Sequence, residues 1–237
     1  MGGKIIEISY LIGREETVMP SPTIRPPAIR ARSRIAKQPQ GMGGTETKFD
    51  YYNNTSFLEM FLHAGTHIDT PFHIHPDGIS IEAFKIEDFI FNSPLFINLP
   101  KTDFEEITKE DLSSYHSELR KSDLVLIYTG FSQYRESDIP RYQKSQPTFT
   151  VDSAKYLVNN SSIRAVGIDV MGIENIGKAR PDFPVHKIFL RKNERFFVIE
   201  DMNLAPLIDE KLRKAYIIPL NFKGAEAMPV RAFAEVE

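Results

Sequence analysis

Two continuous apolar runs separated by a capped helix constrain the fold of this chain more than anything else in it. Residues 123–129 read Asp-Leu-Val-Leu-Ile-Tyr-Thr, and residues 163–170 read Ile-Arg-Ala-Val-Gly-Ile-Asp-Val. Apolar sequence unbroken over a strand's length, without alternation, marks strands buried on both faces of a sheet. Between the two runs, Thr150 or Asp152 can cap a helix that continues to about Val158 and turns Ala154, Leu157 and Val158 inward. Strand, helix and strand in that order predict a parallel βαβ unit with a right-handed crossover. Further strands are expected over residues 4–12, 57–62 leading into the histidine stretch, 95–99, 195–201, 215–222 and 229–236. No linker composition divides the 237 residues, so the expected fold is a single α/β domain over residues 1–237, with a mixed sheet core and helices on one side.

Composition narrows the chemistry. A formal net charge of −3 offers no electrostatic footprint for nucleic acid or an anionic membrane. With no cysteine there is no disulfide, no thiolate ligand and no thiol nucleophile, so a metal would have to be held by nitrogen and oxygen. The start lacks a signal-peptide apolar run and no later run reaches membrane-spanning length, so a cytoplasmic protein is expected. Residues 20–50 stand apart, with prolines at 20, 22, 26, 27 and 39, glycines at 41, 43 and 44, and a basic set of Arg25, Arg30, Arg32, Arg34 and Lys37. This composition predicts irregular structure over most of the segment. Its roles stay open between a solvated or disordered loop, a lid over a pocket and an arm on a neighbouring subunit.

The chemistry-bearing stretch is His63-Ala64-Gly65-Thr66-His67-Ile68-Asp69-Thr70-Pro71-Phe72-His73, which holds three of the chain's six histidines and a carboxylate. As a helix it would put His63 and His67 on one face, yet Gly65, Thr66, Ile68, Asp69, Thr70 and Pro71 are weak helix formers. An extended segment instead aims His63, His67, Asp69 and His73 the same way. Imidazole and carboxylate are preferred ligands of zinc and similar divalent ions, and four such groups in an ordinary core would each need a partner. His75 is read as a loop residue beside the Pro76-Asp77-Gly78 turn, and His116 as part of a solvated helix face behind the Thr108-x-x-Asp111 helix start. Asp169, at a strand end, is open between a catalytic role and a structural cap. Glu200 shares a strand face with Phe196 and Val198, which carries it inward, where a carboxylate requires a cation or donors.

The eleven-residue stretch resembles the His-x-Gly-Thr-His-x-Asp-x-Pro-x-His signature of the cyclase family of metal-dependent hydrolases, whose best-known members are bacterial kynurenine formamidases, with isatin hydrolases as relatives. Val166-Gly-Ile-Asp169, His186 and Val198-Ile-Glu200-Asp-Met-Asn-Leu204 are similar to further family segments in the same order. The resemblance implies a layered β/β/α swivelling-type fold and a homodimer or higher homo-oligomer. It also implies two divalent ions, zinc or manganese: one held by His63, His67 and Asp69, the second by Asp69, His186 and Glu200. His73 would be the general acid/base. The implied activity is hydrolysis of a small aryl formamide or cyclic amide by water acidified from a pKa of about 16 to about 7. Lactone or ester hydrolysis, dehydration, or metal binding without turnover are the alternatives. Where kynurenine formamidases continue the Gly-Ile-Asp strand with Ser and Asp, this chain has Gly172 and Glu174, and its basic 20–50 segment is long. Both departures touch regions expected to shape the substrate pocket, leave the metal chemistry intact and weaken the case for N-formylkynurenine as the substrate.

Overall fold

A computed structural model describes residues 3–36, 51–159, 162–174 and 182–237. In chain order the strands are β1 (Lys4–Glu7), β2 (Ala28–Ala36), β3 (Tyr51–Glu59), β4 (His67–Asp69), β5 (Ile90–Phe91), β6 (Pro94–Asn98), β7 (Glu106–Ile107), β8 (Leu124–Tyr128), β9 (Thr148–Phe149), β10 (Ala165–Ile168), β11 (Phe197–Glu200), β12 (Leu212–Pro219) and β13 (Ala227–Val236). The helices are short: α1 (Lys109–Ser113), α2 (His116–Leu119), α3 (Tyr134–Ser137), α4 (Ile139–Lys144), α5 (Val151–Val158) and α6 (Pro184–Phe189). Among the described residues, none is long and apolar enough to cross a membrane.

The two buried runs become β8 and β10, which pair in parallel from Leu124 opposite Ala165 to Ile127 opposite Ile168. The helix between them is α5, and Thr150 caps it, its hydroxyl accepting the Ser153 N–H at 3.1 Å. One large mixed sheet in the order β5-β12-β13-β4-β11-β10-β8-β6, with β1 paired to β13, forms the body of an α/β domain. The sheet curls almost into a barrel, since β6 comes back beside β12. Alternation along its central strands divides the core. Leu124, Leu126, Ala165, Phe197 and Ile199 face strand-borne residues such as Ile6, Ala215, Ile217 and Ala232. Val125, Ile127, Val166, Ile168 and Val198 face the helices through Leu112, Tyr142, Ala154, Leu157 and Phe189. Strands on one side and helices on the other make the layered arrangement expected from the sequence.

Two expectations need correcting. Within residues 20–50, expected to be irregular, Ala28–Ala36 is a strand whose nine residues all pair antiparallel with β3 in a separate two-stranded sheet. Pro20, Pro22, Pro26 and Pro27 lie ahead of this strand, and Arg30, Arg32 and Arg34 alternate with small or apolar residues at the two-residue period of a strand. Whether the segment acts as a lid or an arm involves residues 37–50, which lie outside the described residues. The second correction concerns residues 57–62, expected to be a strand leading into the histidine stretch. Phe57 and Leu58 instead finish β3, exposed, and a turn separates them from the site.

A buried ion pair fixes the end of β11. Arg135 Nε and Nη2 donate to the two oxygens of Asp201, each at 2.8 Å, and the Tyr142 hydroxyl donates to the same carboxylate at 2.6 Å. Asp201 turns the chain in the left-handed region at φ 50°. Such a fork on a buried carboxylate is strong as well as directional, so the residue just before it, Glu200, leaves the strand in a defined direction.

A close approach fixes the turn after the histidine stretch. A β-carbon on Gly78 would lie 2.5 Å from the backbone C and O of Pro71 and 2.7 Å from the Phe72 nitrogen. Backbone cannot swing aside as a side chain can, so Gly78→Ala should cost about 1–3 kcal/mol. Urea unfolding of the variant checks this; parent-like stability would show that the turn yields freely.

Candidate metal centre

The histidine stretch is not one extended segment. Gly65 adopts φ 66°, a left-handed conformation that glycine accepts at little cost, and it bends the chain between His63 and His67. Only His67–Asp69 is strand, and Pro71 opens a 3₁₀ turn, Pro71–His73, that swings His73 back. The side chains of His63, His67, Asp69 and His73 nevertheless converge, brought together by chain reversals rather than strand parity. Thr66 locks the bend: its hydroxyl donates to the Asp201 carbonyl at 2.5 Å and accepts the Tyr10 N–H at 2.9 Å. β4 then lies between β11 and β13, which places Glu200 opposite His67 and Ala227 opposite Asp69.

Asp69 sits at the middle of the cluster, with no exposed surface. Its Oδ1 is 3.0 Å from His63 Nδ1 and 3.5 Å from His67 Nε2. His67 Nε2 is also 3.4 Å from Glu200 Oε2, and the other Glu200 oxygen is 3.4 Å from His186 Nε2. The His73 ring centroid is 4.4 Å from that of His63 and 5.7 Å from that of His186. The donor atoms fall into two overlapping groups, His63 with Asp69 and His73, and His67 with Asp69 and Glu200, each with its atoms within 4.8 Å of one another. Asp69 belongs to both, as a bridging ligand would. The division differs from the expected one, because His73 rather than His67 accompanies His63, and His186 joins through Glu200.

The donor set fits a cation. His67 Nε2 and both Asp69 oxygens are buried with no hydrogen-bond partner. An unpartnered buried carboxylate costs several kcal/mol unless a positive charge meets it. The outward ring nitrogens of His67 and His186 are satisfied, as those of ligand histidines usually are, while that of His63 faces a carboxylate at longer range. His67 Nδ1 is 2.8 Å from the Gly65 carbonyl, His186 Nδ1 is 2.5 Å from Glu174 Oε2, and His63 Nε2 is 3.6 Å from Glu226 Oε1. Among the described residues the His73 ring makes no hydrogen bond.

Other sequence-marked residues lie elsewhere. Asp169 is buried, and its carboxylate accepts from the Thr129 N–H at 2.7 Å, the Thr129 hydroxyl at 2.6 Å and the Ser132 hydroxyl at 3.0 Å, so it ties the ends of β8 and β10 together. His116 is exposed, with Nδ1 2.9 Å from the Tyr156 hydroxyl, and His75 lies in the turn after His73. Gly172 and Glu174 do reach the site, for a β-carbon on Gly172 would lie 3.6 Å from Glu200 Oε1 and Glu174 holds His186. Glu226 escaped the sequence reading. A lone carboxylate between Ala225 and Ala227, just ahead of β13, was the signal available, and only the antiparallel pairing of β13 with β4 brings it to His63.

Fold and site together define an α/β protein with a histidine–carboxylate centre suited to a divalent cation. Residues 6–175 match the family described as "Putative cyclase", and the chain belongs to that family. An uncharacterized protein of Haemophilus influenzae is 36% identical over 107 residues, 45% of this chain and 75% of its own length. Kynurenine formamidase of Bacillus mycoides is 27% identical over 179 residues, covering 76% of this chain and 78% of the enzyme. Cyclase-like protein 3 of Arabidopsis thaliana is matched over 64% of its length. In fold, an isatin hydrolase bound to the product analogue thioisatinate superposes with a TM-score of 0.75 at 18% identity, over 98% of this chain and 92% of that one.

Protonation follows the same geometry. Burial opposes charge on His63, but Asp69, with Glu226 and Glu200, outweighs it and raises the pKa to about 10. Burial likewise opposes charge on His186, where Glu174, Glu200 and Asp69 raise the pKa to about 10. For His73 burial wins, reinforced by His63 and His186, and the pKa falls below the ordinary 6.5. Burial disfavours the Asp69 anion, yet His63, His67 and His73 hold it well below the usual carboxylate range. Two histidines with folded values near 10 against 6.5 unfolded stabilise the protein fully below pH 6.5, and that contribution is lost as pH rises through 10. In chelator-treated protein, Tm should therefore decline between about pH 6.5 and 10, with a shallower slope in His63→Gln and His186→Gln. Thermal melts across that range check this, and an equal slope in all three proteins would contradict it.

Proposed function

We propose that this chain is a metal-dependent amidohydrolase that cleaves a small aryl formamide or cyclic amide. The observation that carries the reading is the fully buried carboxylate of Asp69, shared by two groups of ligand atoms, one of which includes His73. His63, His67 and Asp69 would hold one ion, and Asp69, His186 and Glu200 a second, zinc or manganese. A divalent cation there supplies Lewis acidity, which polarises an amide carbonyl and makes water acidic at neutral pH.

The chain's own groups account for the rest. Burial of Asp69, His67, His186 and Glu200 lowers the local dielectric and strengthens every charge interaction on the reacting atoms. The Ile173 N–H donates to Glu200 Oε1 at 2.8 Å and keeps that carboxylate from rotating. His73, with a depressed pKa and no hydrogen bond among the described residues, is a neutral imidazole at pH 7. It takes the proton of the attacking water at one ring nitrogen and delivers a proton to the leaving amide nitrogen as the C–N bond breaks, a role worth about 10² to 10⁴ in rate. Phe61, 5.1 Å from the His63 ring, and Phe183, 5.8 Å from the His186 ring, are apolar surfaces against which an aryl group can lie. The names of the relatives, kynurenine formamidase and isatin hydrolase, support the same substrate class. The proposal includes a homodimeric, cytoplasmic enzyme.

The test is hydrolysis of a panel of aryl formamides, isatins and lactones by purified protein with added zinc or manganese. Formamides or isatins should turn over, and activity confined to lactones would reassign the reaction. His73→Ala should keep its metal and lose at least about 10²-fold in kcat. Asp69→Ala should lose metal altogether, measured by elemental analysis after dialysis; full retention would refute the bridging role.

A further inference from the structure

We infer that Glu174 is a positioning residue that fixes the ring of His186, so that Nε2 of that histidine faces the metal centre and Nδ1 faces away; the inference rests on the metal-site reading proposed above. Glu174 lies in the loop after β10, 26 residues ahead of Glu200 in sequence, and is 7% exposed. Its two oxygens accept three bonds from one short piece of chain. The Val185 N–H donates to Oε1 and the His186 N–H to Oε2, both at 3.1 Å, and His186 Nδ1 lies 2.5 Å from Oε2. One carboxylate thus holds both the backbone and the ring of the same histidine. The ring is left no rotation about χ2 that keeps this contact and turns Nε2 away from Glu200, 3.4 Å distant.

Glu174 is itself braced. Gln146, 1% exposed, donates from Nε2 to the carbonyls of Gly172 at 2.8 Å and Glu174 at 3.3 Å, and its Oε1 accepts the Met171 N–H at 3.1 Å. The Ile173 N–H in the same loop donates to Glu200. The loop over residues 171–174 therefore positions two site residues at once, Glu200 from its backbone and His186 through the Glu174 side chain. A carboxylate behind a ligand imidazole orients the ring and makes it a better donor, and losing it typically weakens metal binding about 10- to 100-fold.

The experiment compares Zn²⁺ binding by the parent and Glu174→Gln, in competition with a chromophoric chelator, alongside the visible spectra of the Co²⁺ forms and melts of the metal-free proteins. Glutamine keeps an acceptor for the backbone but presents an amide that cannot satisfy both the helix and the ring. One equivalent of zinc should bind about 10- to 100-fold more weakly, with a changed cobalt spectrum. Any other equivalent should bind as in the parent, while the metal-free Tm should fall with loss of the Glu174–His186 ion pair. A purely structural role would lower Tm without selecting one equivalent. Parent-like affinity for every equivalent overturns the inference. Should Glu174→Gln fail to fold, Glu174→Asp, which keeps the charge but not the reach, decides in the same way, and failure of both to fold overturns it by showing a cap alone. A parent that binds no zinc at all rejects the metal reading rather than the role of Glu174.

Discussion

The rest of the structure depends on a carboxylate without a donor. Asp69 has no exposed surface and neither of its oxygens accepts a hydrogen bond. Folding does not normally bury such a group, because the loss of hydration is repaid only by a compensating positive charge. Here the compensation comes from imidazoles, with His63 and His67 within 3.5 Å. A set of protonated rings around a central anion is also what a doubly charged ion would replace, each ring giving up a proton as it coordinates. The same cluster therefore has two electrically balanced states, and its burial makes the difference between them large.

What surrounds that carboxylate is arranged in layers. Outside the inner ring atoms stand acceptors that define how each imidazole is turned: a carbonyl for His67 and carboxylates for His186 and His63. Outside these stands the Arg135–Asp201–Tyr142 group, which fixes the end of β11, and beyond it lie the two faces of apolar core. His73 is the exception. Its ring is not tied in this way among the described residues, and its proton affinity is lowered where that of its neighbours is raised. A group that must accept and release protons needs that freedom, while a group that must hold a fixed geometry needs the opposite.

Much of this was legible in the chain. The buried runs gave themselves away by unbroken apolar character, and α5 by its capping threonine. Glu200 was legible because strand alternation carries it to the same face as Phe196 and Val198. The convergence of His63, His67, Asp69 and His73 was read correctly, but its local conformation was not, since the left-handed Gly65 and the turn at Pro71 replace the expected extension. The bond partners of Asp169 and the approach of Glu226 to His63 were beyond a local reading, because each depends on strands distant in sequence. The hairpin of β2 and β3 was hidden for another reason. Its alternating arginines follow immediately on a cluster of prolines, and the composition of the whole segment masked the two-residue period of residues 28–36.

β4 has a topological position whose consequence is mechanical. Among the described residues, β4 is the three-residue strand that joins the two halves of the large sheet, with β13, β12 and β5 on one side and β11, β10, β8 and β6 on the other. Two of those three residues, His67 and Asp69, belong to the candidate metal centre. The candidate metal centre thus sits in the seam rather than in either panel of the fabric. A distortion that parted the seam would scatter the donors of the candidate centre while each panel kept its own strand pairings.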